Sequence, residues 1–172
     1  MNPKYKKSVI YWLASLCTLI FTLVIVGGIT RLTNSGLSMV EWRPLMGVIP
    51  PLTDHDWLLV FQKYQGFPEY KHFNHGMSLD EFKNIFYWEY FHRLLGRLLG
   101  IAFLLPYLFF VYKKAFSFKL GIRMFISFLL GGLQGLMGWY MVKSGLIDIP
   151  AVSHYRLAAH LILAFFIFAY LF

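Results

Sequence analysis

Four long apolar runs, at residues 8–29, 86–112, 122–142 and 152–172, leave this chain few folds to choose from. Crossing the hydrocarbon core of a bilayer as a helix takes ~20 mostly apolar residues. A soluble domain is roughly 25% charged, whereas this chain is 14% charged and 58% hydrophobic. The runs predict an all-α membrane protein, a four-transmembrane-helix bundle, with a long loop at 30–85 on one side of the membrane.

The net charge of +8 on a soluble protein would suggest a nucleic acid partner. Here the basic residues flank the apolar runs, so the lipid bilayer is the expected partner and nucleic acid is not. Lys4, Lys6 and Lys7 precede the first run, and Lys113, Lys114, Lys119 and Arg123 fill the connection between the second and third. Arg31, Arg43, Lys63, Lys71 and Lys83 of the long loop are offset by six acids. Positive charge in short connections marks the cytoplasmic side, which puts the N-terminus inside and the 30–85 loop outside. The first run is too long for the apolar core of a signal peptide and has no small-residue cleavage site after it. A bacterial inner (cell) membrane is the simplest location. Cys17, the single cysteine, can form no intrachain disulfide and reads as a small buried hydrophobe.

Local signals punctuate the runs. Gly27-Gly28 is expected to close the first helix, with a turn at Asn34-Ser35-Gly36. The stretch "DHDWLLVFQKY" sets Trp57, Leu58, Phe61 and Tyr64 on one face of a short amphipathic helix, lying on the membrane surface or against the bundle. Ser78 followed by Glu81 is a capping-box pattern that starts a helix near Leu79 and runs it into the second span. Pro106 is expected to kink that helix. Gly131 and Gly135 form a small-xxx-small pattern that permits close helix approach. "GG" and "SGL" recur around the first and third runs, a weak hint of a helix-pair repeat. The last run stops at Phe172 without a polar anchor, which reads as a piece of something longer.

Ionisable residues inside a span are costly and point to function. The stretch "EYFHRLLGRLLG" opens the second span with Glu89, the only acid in any of the four runs. At ~100° per residue, Glu89, His92, Gly96 and Gly100 share one helix stripe. The glycines would give a flat ligand clearance. Arg93 and Arg97 form a stripe beside it. In the fourth span, His160 falls at nearly the depth of His92, roughly 10 Å below the outer surface at ~1.5 Å per residue. Two imidazoles at one depth on separate helices suit bis-axial ligation of haem iron. Arg93, Arg97 and Arg156 are candidate partners for haem propionates. Other readings stand beside these. Arg93 can instead snorkel or pair with Glu89 at i,i+4. Two histidines and a carboxylate can also hold non-haem iron or zinc, although the arginines compete for Glu89 and the long apolar stripe suits haem better. His55, His72, His75 and His154 read as solvated or edge residues.

These motifs, with "GGITRLTNSGLSMVEWRP", "GGLQGLMGWYMVKSGL" and "YRLAAHL", resemble the haem A synthase family from about Gly27 onward. The likeness is to the class without a cysteine pair in the first outer loop, and no loop residue here is cysteine. The resemblance implies half of an eight-helix fold made of two similar four-helix bundles, and an oxidoreductase that converts a methyl group of haem O to a formyl group. It makes haem A for cytochrome oxidase. His92 and His160 match the N-terminal histidine pair, taken to hold the substrate haem, and Glu89 matches the acid of the family's E-x-x-H motif, thought to assist oxidation. A haem b site belongs to the second half, which the chain does not match. The implied partners are a second-half chain, haem O synthase or oxidase assembly factors. A bis-histidine cytochrome b that only transfers electrons, and a cofactor-free membrane assembly protein, are the rival readings.

Overall fold

The computed structural model describes residues 1–41, 46–145 and 152–172. Arg43, part of the "EWRP" stretch and the last residue of the second "SGL" lie outside the described residues. The helices are α1 (Lys6–Leu32), α2 (Asp54–Gln65), α3 (Pro68–His72), α4 (Leu79–Tyr112), α5 (Phe118–Gly145) and α6 (His154–Leu171). Among the described residues four helices, α1, α4, α5 and α6, are long and apolar enough to cross a membrane. Two short 3-10 turns, Pro3–Tyr5 and Met46–Val48, complete the helical elements, and no strand occurs among the described residues.

The four long helices close into a ring. α1 packs on α4, α4 on α5, α5 on α6, and α6 back on α1. Consequently α4 and α6 stand on one diagonal and α1 and α5 on the other. The chain reverses between successive long helices, so α4 and α6 run in the same direction.

Start signals in α2 and α4 act as their chemistry dictates. Ser78 Oγ accepts from the Glu81 backbone N–H, and the Glu81 carboxylate accepts from the Ser78 N–H at 2.8 Å. Thr53 and Asp56 make the same reciprocal pair at the head of α2. Each satisfies amide groups that a helix start leaves without intrahelical partners.

Other local expectations are corrected. α1 runs through Gly27-Gly28 to Leu32, and the chain turns at Asn34, whose φ of 52° is left-handed. Asn tolerates that conformation better than most residues. Pro106 lies inside α4. On α2 the buried face is Trp57, Phe61 and Tyr64, while Leu58 is 47% exposed. The i, i+4, i+7 set defines one stripe, and Leu58 lies beside it. α2 packs on the head of α4, not apart from it. No heavy atom lies within 4 Å of a Cβ built on Gly131 or Gly135. They are therefore not the points of close helix approach.

The apolar packing falls into two separate clusters. One joins Val9, Trp12, Leu16, Cys17 and Ile20 of α1 with Phe103, Phe110, Met124, Ile167 and Leu171. There Trp12 Nε1 donates to the Ala102 carbonyl at 2.8 Å. The other joins Trp57, Phe61 and Tyr64 of α2 with Phe82, Phe86 and Tyr90 of α4. Between them the helices bring no fully buried side chain together. Burial skips from Ile20 to Thr30 in α1, from Tyr90 to Phe103 in α4 and from Ser127 to Met141 in α5, and does not begin until Ile167 in α6.

Candidate functional site

The skipped level is where the histidines sit. His92 lies two residues past Tyr90 on α4, at the edge of the loop-side cluster, and His160 lies two turns before Ile167 on α6. Their helices are diagonal partners, and the two imidazoles lie within electrostatic reach of each other. The other diagonal supplies their backing. A Cβ on Gly27 of α1 would come 3.2 Å from His92 Nε2, and one on Gly138 of α5 would come 3.3 Å from His160 Cε1. Each imidazole thus rests on bare backbone of the adjoining helix.

Gly96 and Gly100 are exposed, and a Cβ on either would meet nothing within 4 Å. The α4 stripe beyond His92 is therefore an open face. On α5, Gln134 donates through Nε2 to the His160 carbonyl at 3.0 Å. Gln134 Oε1 and His160 Nδ1 are both buried without hydrogen-bond partners. Such groups are costly unless a partner completes them.

Glu89 is 4% exposed and faces α4's own next turn. Arg93 Nε donates to Glu89 Oε1 at 2.6 Å, and its two terminal nitrogens reach the Met39 and Glu41 carbonyls at 3.0 and 3.3 Å. Arg93 thus makes the i,i+4 pair, and its guanidinium braces the loop against α4. Ser38 Oγ to the Ile85 carbonyl, at 3.3 Å, and Tyr90 OH to the Val48 carbonyl, at 2.6 Å, strap the same loop. Arg97 feels the fields of Arg93 and Tyr90, both earlier on α4. Arg156 lies over the Tyr140 ring at 4.8 Å, within one turn of the start of α6.

Among the described residues no three His, Cys, Asp or Glu side chains converge as a metal-binding group. Glu89 is paired with Arg93 and is not grouped with the two histidines as such a set. His55, His72, His75 and His154 are exposed, and Cys17 is buried at 8% exposure.

Sequence reasoning missed several residues. Gly27 had been read as a helix end and Gly138 was not distinguished from its neighbours. Gln134 is the one amide in the third run, and a polar residue at that depth was signal enough to single it out. Glu69, in the loop, is 5% exposed. Its signal was an acid inside the aromatic stretch "GFPEYKHF".

The fold and these side chains define a class: multi-pass helical membrane proteins with paired histidines within the bundle. The sequence profile of the COX15-CtaA family, described as cytochrome oxidase assembly protein, matches residues 10–172, and the chain belongs to this family. It is 59% identical to "Heme A synthase" of Nitrosospira multiformis over 97% of this chain and 47% of that protein. It is 54% identical to "Heme A synthase" of Nitrosomonas eutropha over 100% of this chain and 49% of that protein. The protein of the same name from Paramagnetospirillum magneticum is 54% identical over 96% of this chain and 47% of its own length. The chain spans about half the length of these curated relatives. No solved structure matches it.

Proposed function

We propose that this chain forms the substrate-haem half of a haem A synthase, in which a methyl group of haem O is oxidised to a formyl group for cytochrome oxidase. What supports the reading is the level between the two packing clusters, where no residue of the four helices is buried as a whole and where His92 and His160 stand on diagonal helices within electrostatic reach of each other. The fit of a haem is supported by the unpartnered His160 Nδ1 and by the open stripe at Gly96 and Gly100.

In this reading His92 and His160 would hold the haem iron, and haem would supply the redox-active macrocycle. Arg97 and Arg156 neutralise propionates on the loop side. Gln134 fixes the backbone at His160 through its amide donor, a support of the kind that orients ligating histidines. Converting R–CH3 and water to R–CHO releases four protons and four electrons. Glu89 takes a proton at the reacting edge or stabilises positive charge developing there, while Arg93 holds its carboxylate in place. A haem b in the family's other bundle, or a partner protein, would accept the electrons. Haem O synthase and oxidase assembly factors are the natural neighbours for delivery and use. The protein would lie in a bacterial inner membrane with its N-terminus in the cytoplasm and the α2–α3 loop outside.

The test is spectroscopic and then chemical. The purified chain loaded with haem should show a low-spin spectrum that His92→Ala and His160→Ala each abolish or change; a normal low-spin spectrum in either variant sinks the ligand assignment. In membranes from cells that make the protein, Glu89→Gln should stop conversion of haem O to haem A while haem still binds. Unimpaired conversion would leave a cytochrome that only carries electrons.

A further inference from the structure

The turn that leads into α2 carries apolar side chains that the protein leaves uncovered. Ile49 is 69% exposed and Leu52 76% exposed, on either side of Pro50-Pro51. Two sets of contacts fix where that turn stands. Tyr90 of α4 donates its OH to the Val48 carbonyl at 2.6 Å. Trp57, in the first turn of α2, has its ring 5.0 Å from Phe86 and 5.4 Å from Tyr87. Farther along α2, the Phe61 and Tyr64 rings each stand 5.0 Å from Phe82, one turn earlier on α4. α2 therefore runs back along α4, and the 48–52 turn lies at the end of α2 nearest the membrane-crossing part of α4.

α4 has 34 residues and ends at Tyr112, which makes it about 51 Å long at ~1.5 Å per residue. The hydrocarbon core is ~30 Å thick, or about 20 helical residues. Counted back from Tyr112, where Lys113 and Lys114 follow, the loop-side boundary of that core falls beside His92. Tyr90 and the turn it holds thus stand at the boundary. Tyr87 and Trp88, exposed on the same stretch of α4, are the residue types that sit where headgroups meet hydrocarbon. Pro50 and Pro51 have no backbone N–H, so the turn carries two fewer donors that an apolar layer would leave without partners. We propose that the 48–52 turn is an interfacial anchor: Tyr90 holds it at the bilayer surface, and Ile49 and Leu52 insert among the lipids of the loop-side leaflet. The first charged groups after it in the chain are Asp54 and Asp56, both acids, so the attraction is apolar and needs no anionic headgroup. The loop is then tied to the membrane at Tyr90, two residues before His92, whether or not haem is bound.

Nitroxide labels on single cysteines read the depth. In a Cys17→Ala background, Ile49→Cys and Leu52→Cys are labelled and the chain is reconstituted in phosphatidylcholine vesicles. Phe73→Cys is the reference. Phe73 is 70% exposed and lies three residues past Tyr70, whose ring packs on Phe61 and Tyr64 at the far end of α2. Labels at 49 and 52 should collide with dissolved oxygen, relative to a water-soluble nickel chelate, several-fold more than the label at 73 does. Equal chelate access at 52 and 73 would leave the turn in water and overturn the anchor. A label at 52 shielded from both reagents would mean that protein covers the turn, and overturns it equally. Adding phosphatidylglycerol should leave the ratios unchanged; deeper labels only with the anionic lipid would overturn the apolar attraction. Tyr90→Phe keeps the ring but loses the bond to Val48, and loss of one hydrogen bond should raise chelate access at 52 roughly twofold or more. Unchanged access there overturns the tether. Unfolding midpoints in detergent that match the unlabelled Cys17→Ala chain show that each labelled variant is folded.

Discussion

Gly27 of α1 lies against the ring of His92 so closely that a Cβ there would stand 3.2 Å from Nε2, and Gly138 of α5 holds the same relation to His160 at 3.3 Å from Cε1. Each histidine is therefore packed by a glycine of the adjoining helix, once in the α1–α4 pair and once in the α5–α6 pair. Gly131 and Gly132, the "GG" of the third run, meet nothing within 4 Å.

Alanine at Gly27 or Gly138 should displace its imidazole by a few tenths of an ångström. Overpacking of this kind costs about 1–3 kcal/mol, so haem should bind roughly tenfold or more weakly, with a perturbed low-spin spectrum. Gly28→Ala and Gly131→Ala meet nothing within 4 Å. They should leave the spectrum alone and, by helix propensity, stabilise the protein by up to about 1 kcal/mol. Haem titration and thermal unfolding in detergent check both halves. Equal effects at contacted and open glycines would show that the ring contacts do not matter.

The Glu89–Arg93 pair, with side chains 5% and 8% exposed, should behave as one unit. Arg93→Met strands a buried carboxylate and releases the Met39 and Glu41 carbonyls, and loss of one member of a buried pair costs about 3–5 kcal/mol. Glu89→Gln should destabilise less, since an amide can still accept from the guanidinium. The double variant should be more stable than the sum of the two, with a coupling above about 1 kcal/mol in a thermal-unfolding cycle. Additive losses would mean the pair contributes no joint stabilisation.

Phe82 is 0% exposed, and its ring stands 5.0 Å from both Phe61 and Tyr64 and 5.8 Å from Phe86. Phe82→Ala should cost about 3–5 kcal/mol, and the loss should be local. The loop-side cluster is separate from the α1–α4–α5–α6 cluster, so protease should cut residues 54–72 while the haem spectrum persists. Simultaneous loss of both would show that α2 docking and the bundle fold as one unit.

The spans and the capping box at Ser78 were legible because each rests on a short-range rule: apolar length, and side chain to nearby amide. What was illegible depends on partners distant in sequence. Whether Gly27 ends a helix or faces a ring is decided by His92, 65 residues on. Arg93 reads equally well as a propionate ligand or an ion-pair partner until the carbonyls of Met39 and Glu41 are brought to it. Leu58 and Trp57 are adjacent, and only the docking of α2 on α4 decides which is covered. Glu69 looked like one more loop acid, because burial of a short loop helix leaves almost no periodic trace in five residues.

Glu69 also makes a prediction about stability that has an uncommon sign for a carboxyl. Its proton is held more tightly in the folded chain, where the carboxyl is pushed from 4.5 up to about 7, than in the unfolded one. From about pH 4.5 to about 7 the folded state therefore binds more protons than the unfolded state, and stability falls as pH rises. The stabilisation is complete below the unfolded value and lost above the folded one. At about 1.4 kcal/mol per unit, the decline across that window is roughly 3 kcal/mol. Glu81 and Asp56, lowered by their capping hydrogen bonds to Ser78 and Thr53, act with the opposite sign. Their contributions fade only as pH falls through their lowered values, so the two effects occupy separate windows. Detergent unfolding followed between pH 5 and pH 8 should show the decline in the native chain and its removal in Glu69→Gln, which carries no proton to lose. A native curve that is flat or rising over that range would place the Glu69 carboxylate in its ordinary ionised state.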